Sequence, residues 1–497
     1  MAVRISGMNS GLDTDSIVQD LVKAYSTKTD TYKKEQTALQ WKQDAWKTLN
    51  TKVYSFYSKS LSNMRYSSNY NLKKTTVSDE TKATVVASDN AVSGIQTLKI
   101  GDLAKASYLT GAKLTKTAGG TVKGTTKLSE LGYSNSTEIT VNKGTGGSTY
   151  GTLKLDGSTT VDNVVSQLSD MGLSASFDSA NGRIYVSAKD TGASKDFTFS
   201  GDATALNALG LGATGTKITG SDAAITLNGV DYTSSSNTFT VNGMTITAKA
   251  KTGTDEEITL STETDYDGIY DNIKDFIKGY NELVNEMDAL YNADSAKGYA
   301  PLTDDEKSAM TDSQIETWEK KIKDAVLRKD DTIESVTGAM RMAMLQTYTV
   351  NGTETSMSSY GINTLSYFTA ADDEKNAYHI DGDSEDSDTS GNKDKLKAAI
   401  ASDPAGVQSF FTQLADSMYD TLSAKMRSTT LSSAFTVYDD KKMTEEYSDY
   451  TTKISDWEDY VADMEEKYYK QFTAMEKAMS TLNSSQSALS SILGSSS

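Results

Sequence analysis

Apolar residues fall seven apart near both ends of this chain. Toward the C-terminus one series runs Ile454, Val461, Tyr468, Met475, Leu482, Leu489. Trp457 and Met464 fill its intermediate positions at first. Gln471, Ala478 and Ser485 follow there, while Phe472, Met479 and Leu493 sit one place further on. Near the N-terminus Val18, Tyr25, Tyr32, Leu39, Trp46 and Val53 repeat in the same way. A seven-residue apolar repeat gives a helix one seam that must face another helix. Two such seams, roughly four hundred residues apart, predict a stalk whose chain leaves along one helix and returns along the other. The alternative is that each helix packs on its nearest globular domain.

Asp13 and Asp15 are candidate N-caps, since a carboxylate there accepts free backbone N–H groups at the positive helix end. No proline or glycine interrupts residues 15–70, which predicts a rod of roughly 80 Å. Its first half is polar apart from the seam. Its second half, Trp41 to Met64, is richer in large apolar groups and should enter a bundle.

Alternation in the manner of strands follows at Ala83, Val85, Ala87 and at Ile95, Leu98, Ile100. Further strands are expected at Ile139–Asn142 and Thr152–Leu155, and a short helix from Thr160 to Leu173. Asn181-Gly182, Asn228-Gly229 and Asn242-Gly243 are hairpin signals, because a type I′ turn needs positive φ at both central residues. Helices return with the broad apolar face Ile273, Phe276, Ile277, Tyr280, Leu283, Val284, Met287, Leu290. Others are expected over Asp304–Arg328, Thr332–Thr347, Lys393–Ile400 and Asp403–Met426, with Pro404 in the first turn. Residues 352–392 read as looser and acidic. The fold class is α+β and multidomain. A terminal coiled-coil stalk (1–42 with 452–497) carries a helical-bundle domain (43–72 with 265–451). Inserted in that domain are two antiparallel β-rich domains (73–107 with 222–264, and 108–221).

Charge bears on partners. Residues 1–75 hold 12 basic against 6 acidic groups, and residues 440–497 hold 6 against 11. Opposite charges flanking apolar seams choose partners. The whole chain carries a formal charge of −19, which argues against nucleic acid or an anionic membrane as the main partner. It has no cysteine, hence no disulfide or thiol chemistry. No run approaches the ~18 apolar residues of a membrane span. Met1 to Leu12 lacks the apolar core a secretory signal needs, consistent either with the cytoplasm or with export by a route that reads no cleaved signal.

Candidate chemistry is sparse. His379 is the only histidine, and a surface-loop or strand-end role is expected for it rather than catalysis. One histidine and no cysteine cannot readily build a zinc site. Gly210-Leu-Gly-Ala-Thr-Gly215 matches G-x-G-x-x-G, but a nucleotide site needs a strand before it and a helix after it; a turn is expected. Asp381 to Asp388 lacks the glycine and glutamate positions of an EF-hand loop and reads as a solvated acidic loop. The residues therefore describe a non-enzymatic interaction protein, with no cofactor and no metal.

Six segments, in order, resemble the flagellar filament-capping family, hook-associated protein 2 (FliD). They are Ile5–Gly11 through Asp15 to Val18; Thr81–Ser88 through Ile100; Thr160–Asp190; Pro301–Lys307 through Trp318–Lys321 and Leu327–Asp330; Leu396–Ile400 through Asp403-Pro404 and Val407–Phe411; and Phe472–Ala478 through Leu482. Residues 384–392 look inserted relative to the family. The resemblance implies a homo-oligomeric ring of a few subunits at the distal tip of the bacterial flagellum, exported through the flagellar channel. Its legs would reach onto the filament and its heads would form a plate under which exported flagellin is guided into place. It also implies contact with the hook-filament junction proteins, a cytoplasmic export chaperone and, in some members, adhesion through the heads. The alternatives are another exported flagellar axial protein or a surface adhesin. A seam of Tyr, Met, Gln and Ser is weak, so the legs should exchange amide hydrogens quickly in isolated subunits.

Overall fold

A computed structural model describes residues 11–144, 148–366, 368, 370–371 and 374–494, with side chains through 491. The opening segment Ile5–Ser10 and the side chain of Leu493 lie outside the described residues. The chain divides into two compact units, Met1–Tyr70 with Tyr266–Ser497, and Asn71–Asp265. Helices build the first and antiparallel sheets the second, so the fold is mixed α+β. No helix among the described residues is long and apolar enough to cross a membrane.

In the first unit the N-terminal helix spans Thr14–Ser55, and Asp13 accepts the N–H of Ser16 at 3.1 Å as its cap. Regular α-helix therefore covers about 63 Å, shorter than the rod expected to run to Tyr70. From Phe56 to Leu61 the backbone widens into a π-helical turn that buries Phe56, Tyr57 and Leu61 together. A single 3₁₀ turn at Ser67–Asn69 ends the run. The π turn lays Phe56 against Phe276 and Tyr57 against Tyr419, with ring centroids 5.9 and 4.3 Å apart.

The helix Tyr266–Tyr291 buries Ile273, Phe276, Ile277, Tyr280, Leu283, Val284 and Met287. The helix Pro404–Lys425, capped by Asp403 on Gly406, buries Phe410, Phe411, Leu414 and Met418. Each such side chain contributes roughly 1.5–3 kcal/mol on leaving water.

Three expected elements differ. The helix anticipated over Asp304–Arg328 is two helices, Asp304–Ser308 and Asp312–Ala325. Thr311 starts the second with a reciprocal cap to Gln314, and that local bond outcompetes continuation of the first. The helix from Thr160 stops at Asp170, and Gly172 at φ +93° turns the chain into the strand Leu173–Asp178. Residues 352–392 are not loose throughout: Tyr348–Val350 pairs with Thr353–Thr355, and Ile362–Thr364 with Tyr378–Ile380.

The second unit holds two separate cores. In one, a five-stranded antiparallel sheet has the order Lys73–Val77, Ile258–Thr264, Gly94–Asp102, Ala223–Leu227, Val230–Ser234. With a three-stranded sheet (Thr238–Val241, Met244–Ala248, Ala83–Ala87) it encloses Leu98, Ile100, Ile225, Met244, Ile246 and Leu260. The other core draws only on residues between Leu109 and Leu211, from two further sheets and the helix Val161–Asp170.

Leu227 pairs with Val230 across Asn228-Gly229, and Val241 with Met244 across Asn242-Gly243. All four turn residues have positive φ, 49° and 79° in the first and 52° and 72° in the second. That is the requirement of a two-residue type I′ turn. At Asn181-Gly182 the loop is longer. Asp178 pairs with Arg183, and the Asp178 carboxylate accepts the N–H groups of Ala180 and Asn181.

Candidate functional site: the paired terminal helices

The C-terminal helix, Asp440–Gly494, runs beside the N-terminal helix in the opposite direction. Trp46 stacks on Tyr438 (5.3 Å, 9° between planes), Tyr32 meets Tyr450 (6.5 Å) and Tyr25 meets Tyr460 (5.9 Å). The Trp457 indole N–H donates to the Tyr25 carbonyl at 2.9 Å, and the Tyr25 and Tyr468 hydroxyls share a 3.2 Å hydrogen bond. That bond, with burial added, holds the Tyr468 phenol above its ordinary range.

Of the seam residues on the N-terminal helix, Val18, Trp46 and Val53 are buried, and Tyr25, Tyr32 and Leu39 half-buried. On the C-terminal helix Ile454, Trp457, Val461, Met464, Tyr468, Phe472, Met475 and Met479 are half-buried. Leu482 and Leu489 are not brought into this seam; they are 68% and 61% exposed.

Polar groups complete the interface. Thr29, Gln36 and Asn50 fall on one column of the N-terminal helix at multiples of seven. Thr29 is buried. Gln36 donates to the Tyr447 carbonyl (3.3 Å) and the Thr451 hydroxyl (2.8 Å). Asn50 donates to the Phe435 carbonyl (3.1 Å) and accepts from the Val437 N–H (2.9 Å). Asn50 thereby holds the chain where Phe435 adopts φ +63°, a strained conformation for an aromatic residue. Sequence reasoning left this column out of the seam. It also began the C-terminal seam at Ile454, although Tyr447, Tyr450 and Met443 continue both heptad columns backward. Leu49, three residues past Trp46, is buried as well and had the same helical-spacing signal.

Charge complementarity does less than the balance of the two ends suggests. Lys33 pairs with Glu458 at 2.7 Å, both about half exposed, and such a pair contributes ~0–1 kcal/mol. Lys34, Lys42 and Lys52 instead reach Glu306, Asp330 and Glu286 of the helical domain (2.7, 2.9 and 2.6 Å). Lys323 lies 4.6 Å from the centre of the Trp41 ring.

His379 is not at a surface. It lies mid-strand in Tyr378–Ile380, 9% exposed, with Nδ1 2.7 Å from Asp386. The acidic segment after it is not simply solvated either. Asp383 and Thr389 are buried, and Lys274 bridges Asp383 (2.8 Å) and Glu385 (2.7 Å). Ion pairing at Lys274 is what draws this segment onto the helix Tyr266–Tyr291. No group of three or more metal-ligating side chains is assembled among the described residues. Gly210 to Gly215 forms a turn between the helix Ala203–Ala208 and the strand Thr216–Ile218. A Cβ at Gly210 would lie 2.5 Å from the Ala112 carbonyl, so that glycine serves close packing.

Two family models match the chain: the flagellar hook-associated protein 2 N-terminus over residues 10–107, and its C-terminus over residues 220–484. A flagellar hook-associated protein 2 from Halalkalibacterium halodurans is 22% identical, the alignment covering 98% of this chain and 99% of that protein. An A-type flagellar hook-associated protein 2 from Pseudomonas aeruginosa is 26% identical over 58% of this chain and 63% of its own length. Among solved structures, the D1-D2-D3 domains of the Escherichia coli flagellar cap protein FliD superpose with a TM-score of 0.50 at 19% identity. That match covers 77% of this chain and 97% of that one. With its two ends and its helical domain matched by family models over more than half its length, the chain belongs to the flagellar hook-associated protein 2 family.

Proposed function

We propose that this protein caps the flagellar filament. It forms a ring of a few copies at the distal tip and guides exported flagellin into the growing lattice, as a mechanical assembly chaperone. The observation that carries the reading is the helix pair formed by the two ends of the chain, in a family that includes proteins described as flagellar caps. Residues 1–42 with 452–497 act as the leg that touches the filament, and 43–72 with 265–451 as the helical domain. Residues 73–107 with 222–264 form the β head, and 108–221 the outer head. The seam of the leg, together with the exposed Leu482 and Leu489 that continue its stripe, carries the function through contacts that open and close. Its partners are further copies of itself, flagellin, the hook-filament junction proteins and a cytoplasmic export chaperone, and it reaches the tip through the flagellar channel.

Electron microscopy of the purified protein tests this directly. Small closed rings of uniform copy number are expected. Long filaments formed by the protein alone would identify an axial filament component instead. In cells lacking the gene, flagellin is expected in the medium as monomer, and normal filaments would overturn the cap role.

A further inference from the structure

Residues 108–221 carry an apolar knob on one face of a sheet edge and a cleft on the other. The strand Thr216–Ile218 is an edge of a four-stranded sheet, paired with Tyr108–Thr110 so that Ile218 lies opposite Tyr108 and Lys217 opposite Leu109. Successive side chains on a strand point to opposite faces. Ile218 and Tyr108 accordingly stand out from one face, 54% and 39% exposed. Tyr185 of the next strand lies beside them, its ring centre 6.3 Å from that of Tyr108. Leu109 and Lys217 turn the other way and line a cleft of about 390 Å³.

The cleft is small and largely apolar. Phe197, Phe199 and Leu206 join Leu109 in its lining, while Gly212 and Ala213 of the glycine-rich turn bring little side chain to it. Phe197 and Phe199 meet edge to face with centroids 5.6 Å apart. Lys217 is the one charged group among the described residues that line it. Its Nζ is answered by Asp196 at 2.9 Å and donates to the Phe197 carbonyl, so the cleft offers no free charge to an ionic ligand. Its volume lies at the low end for small-molecule sites and suits one or two side chains.

A ring that closes by rotation joins each copy to the next through two different surfaces. A knob and an uncharged apolar cleft on opposite faces of the same two strands meet that requirement, and tyrosine is a residue that interface centres favour. Resting on the ring reading above, we propose that Tyr108 and Ile218 of one copy seat in the Leu109–Phe197 cleft of the next, a head-to-tail contact between neighbouring copies of this chain. Both surfaces lie between the two segments that the family models match, 10–107 and 220–484.

The test follows assembly of the full-length protein by sedimentation velocity, with circular dichroism melts to show that each variant folds. Ile218→Asp puts a charge on the knob, and Ala213→Trp fills the cleft from an exposed position. Each should raise the concentration at half-assembly roughly 30-fold, the scale of one interface hot spot. Tyr108→Ser reads the knob a second time if Ile218→Asp does not fold. The knob variant keeps its cleft and the cleft variant its knob. An equimolar mixture, at a concentration where neither associates alone, should therefore give 1:1 dimers and nothing larger, because a single good contact cannot propagate. Variants that form rings as readily as the unaltered protein overturn the contact and leave the ring reading standing. A mixture as dissociated as its two components also overturns the contact. An unaltered protein that never forms rings removes the ring reading and the contact together.

Discussion

Val18 and Leu482 belong to the two heptad series, yet they sit in opposite environments, and an identical substitution at each separates them. Val18 is 0% exposed and Leu482 68% exposed. Val18→Asp removes roughly 1.5–3 kcal/mol of apolar burial and places a carboxylate where none can be solvated, so the helix pair should open locally rather than bury the charge. At 1.4 kcal/mol per tenfold, the lost burial alone raises the open fraction about 10- to 100-fold. Hydrogen exchange of the purified protein should show that acceleration in residues 14–30 and 455–479. The helix Tyr266–Tyr291, whose core residues do not include Val18, should keep its protection. Leu482→Asp removes little buried surface in the isolated chain and should change protection and melting far less. In cells, under the capping role, Leu482→Asp should still release flagellin into the medium and shorten filaments, because its apolar face is then needed by a neighbour. Equal loss of protection in the two variants, or an intact helix pair in Val18→Asp, refutes the reasoning.

Other outcomes can be measured on the same preparation. Gly243→Ala should destabilise the second unit more than Gly229→Ala. Both carry positive φ, worth about 1–3 kcal/mol for a non-glycine residue, but a Cβ at Gly243 also meets the Ala91 backbone nitrogen at 2.7 Å, while Gly229 faces open space; calorimetry would rank them. Asn50→Ala should lower stability by about 1–3 kcal/mol, read by thermal melting, since it leaves the Phe435 carbonyl and Val437 N–H without their partner. Burial alone would raise Asp196, Glu319, Asp386 and Asp440, yet hydrogen bonds and, at the first two, lysine partners hold each below its ordinary range. Their contribution is therefore present above about pH 4 and lost on further acidification, and the melting temperature should drop steeply there. Residues 71–265 expressed alone should melt cooperatively by circular dichroism; a broad transition would count against an independent unit.

Local physics was readable in the chain itself. The Asn-Gly pairs at 228–229 and 242–243 announce their turns because few other residues accept positive φ twice in succession. The face from Ile273 to Met287 announces a buried helix because its spacing leaves one apolar side. Pro404 after Asp403 marks a helix start for a reason confined to one turn. The seven-residue spacing gives each terminal helix a single stripe for the same kind of reason.

What the tertiary structure alone decided is which groups meet. Asp304 to Arg328 has unbroken helical spacing, and only the competition between continuing and capping at Thr311 breaks it. Gln36 and Asn50 look like solvent-facing polar residues until a second helix supplies the Tyr447 and Phe435 carbonyls. Lys34 and Lys52 look like partners for an acidic C-terminus until Glu306 and Glu286 arrive closer. His379 and Lys274 are 105 residues apart in the chain. Nothing local says that one will draw the acidic segment down while the other binds it from beneath. Spacing constrains a residue's own neighbours along the backbone; the partner across space is chosen by how whole elements pack, and that choice made Val18 a core residue and left Leu482 exposed.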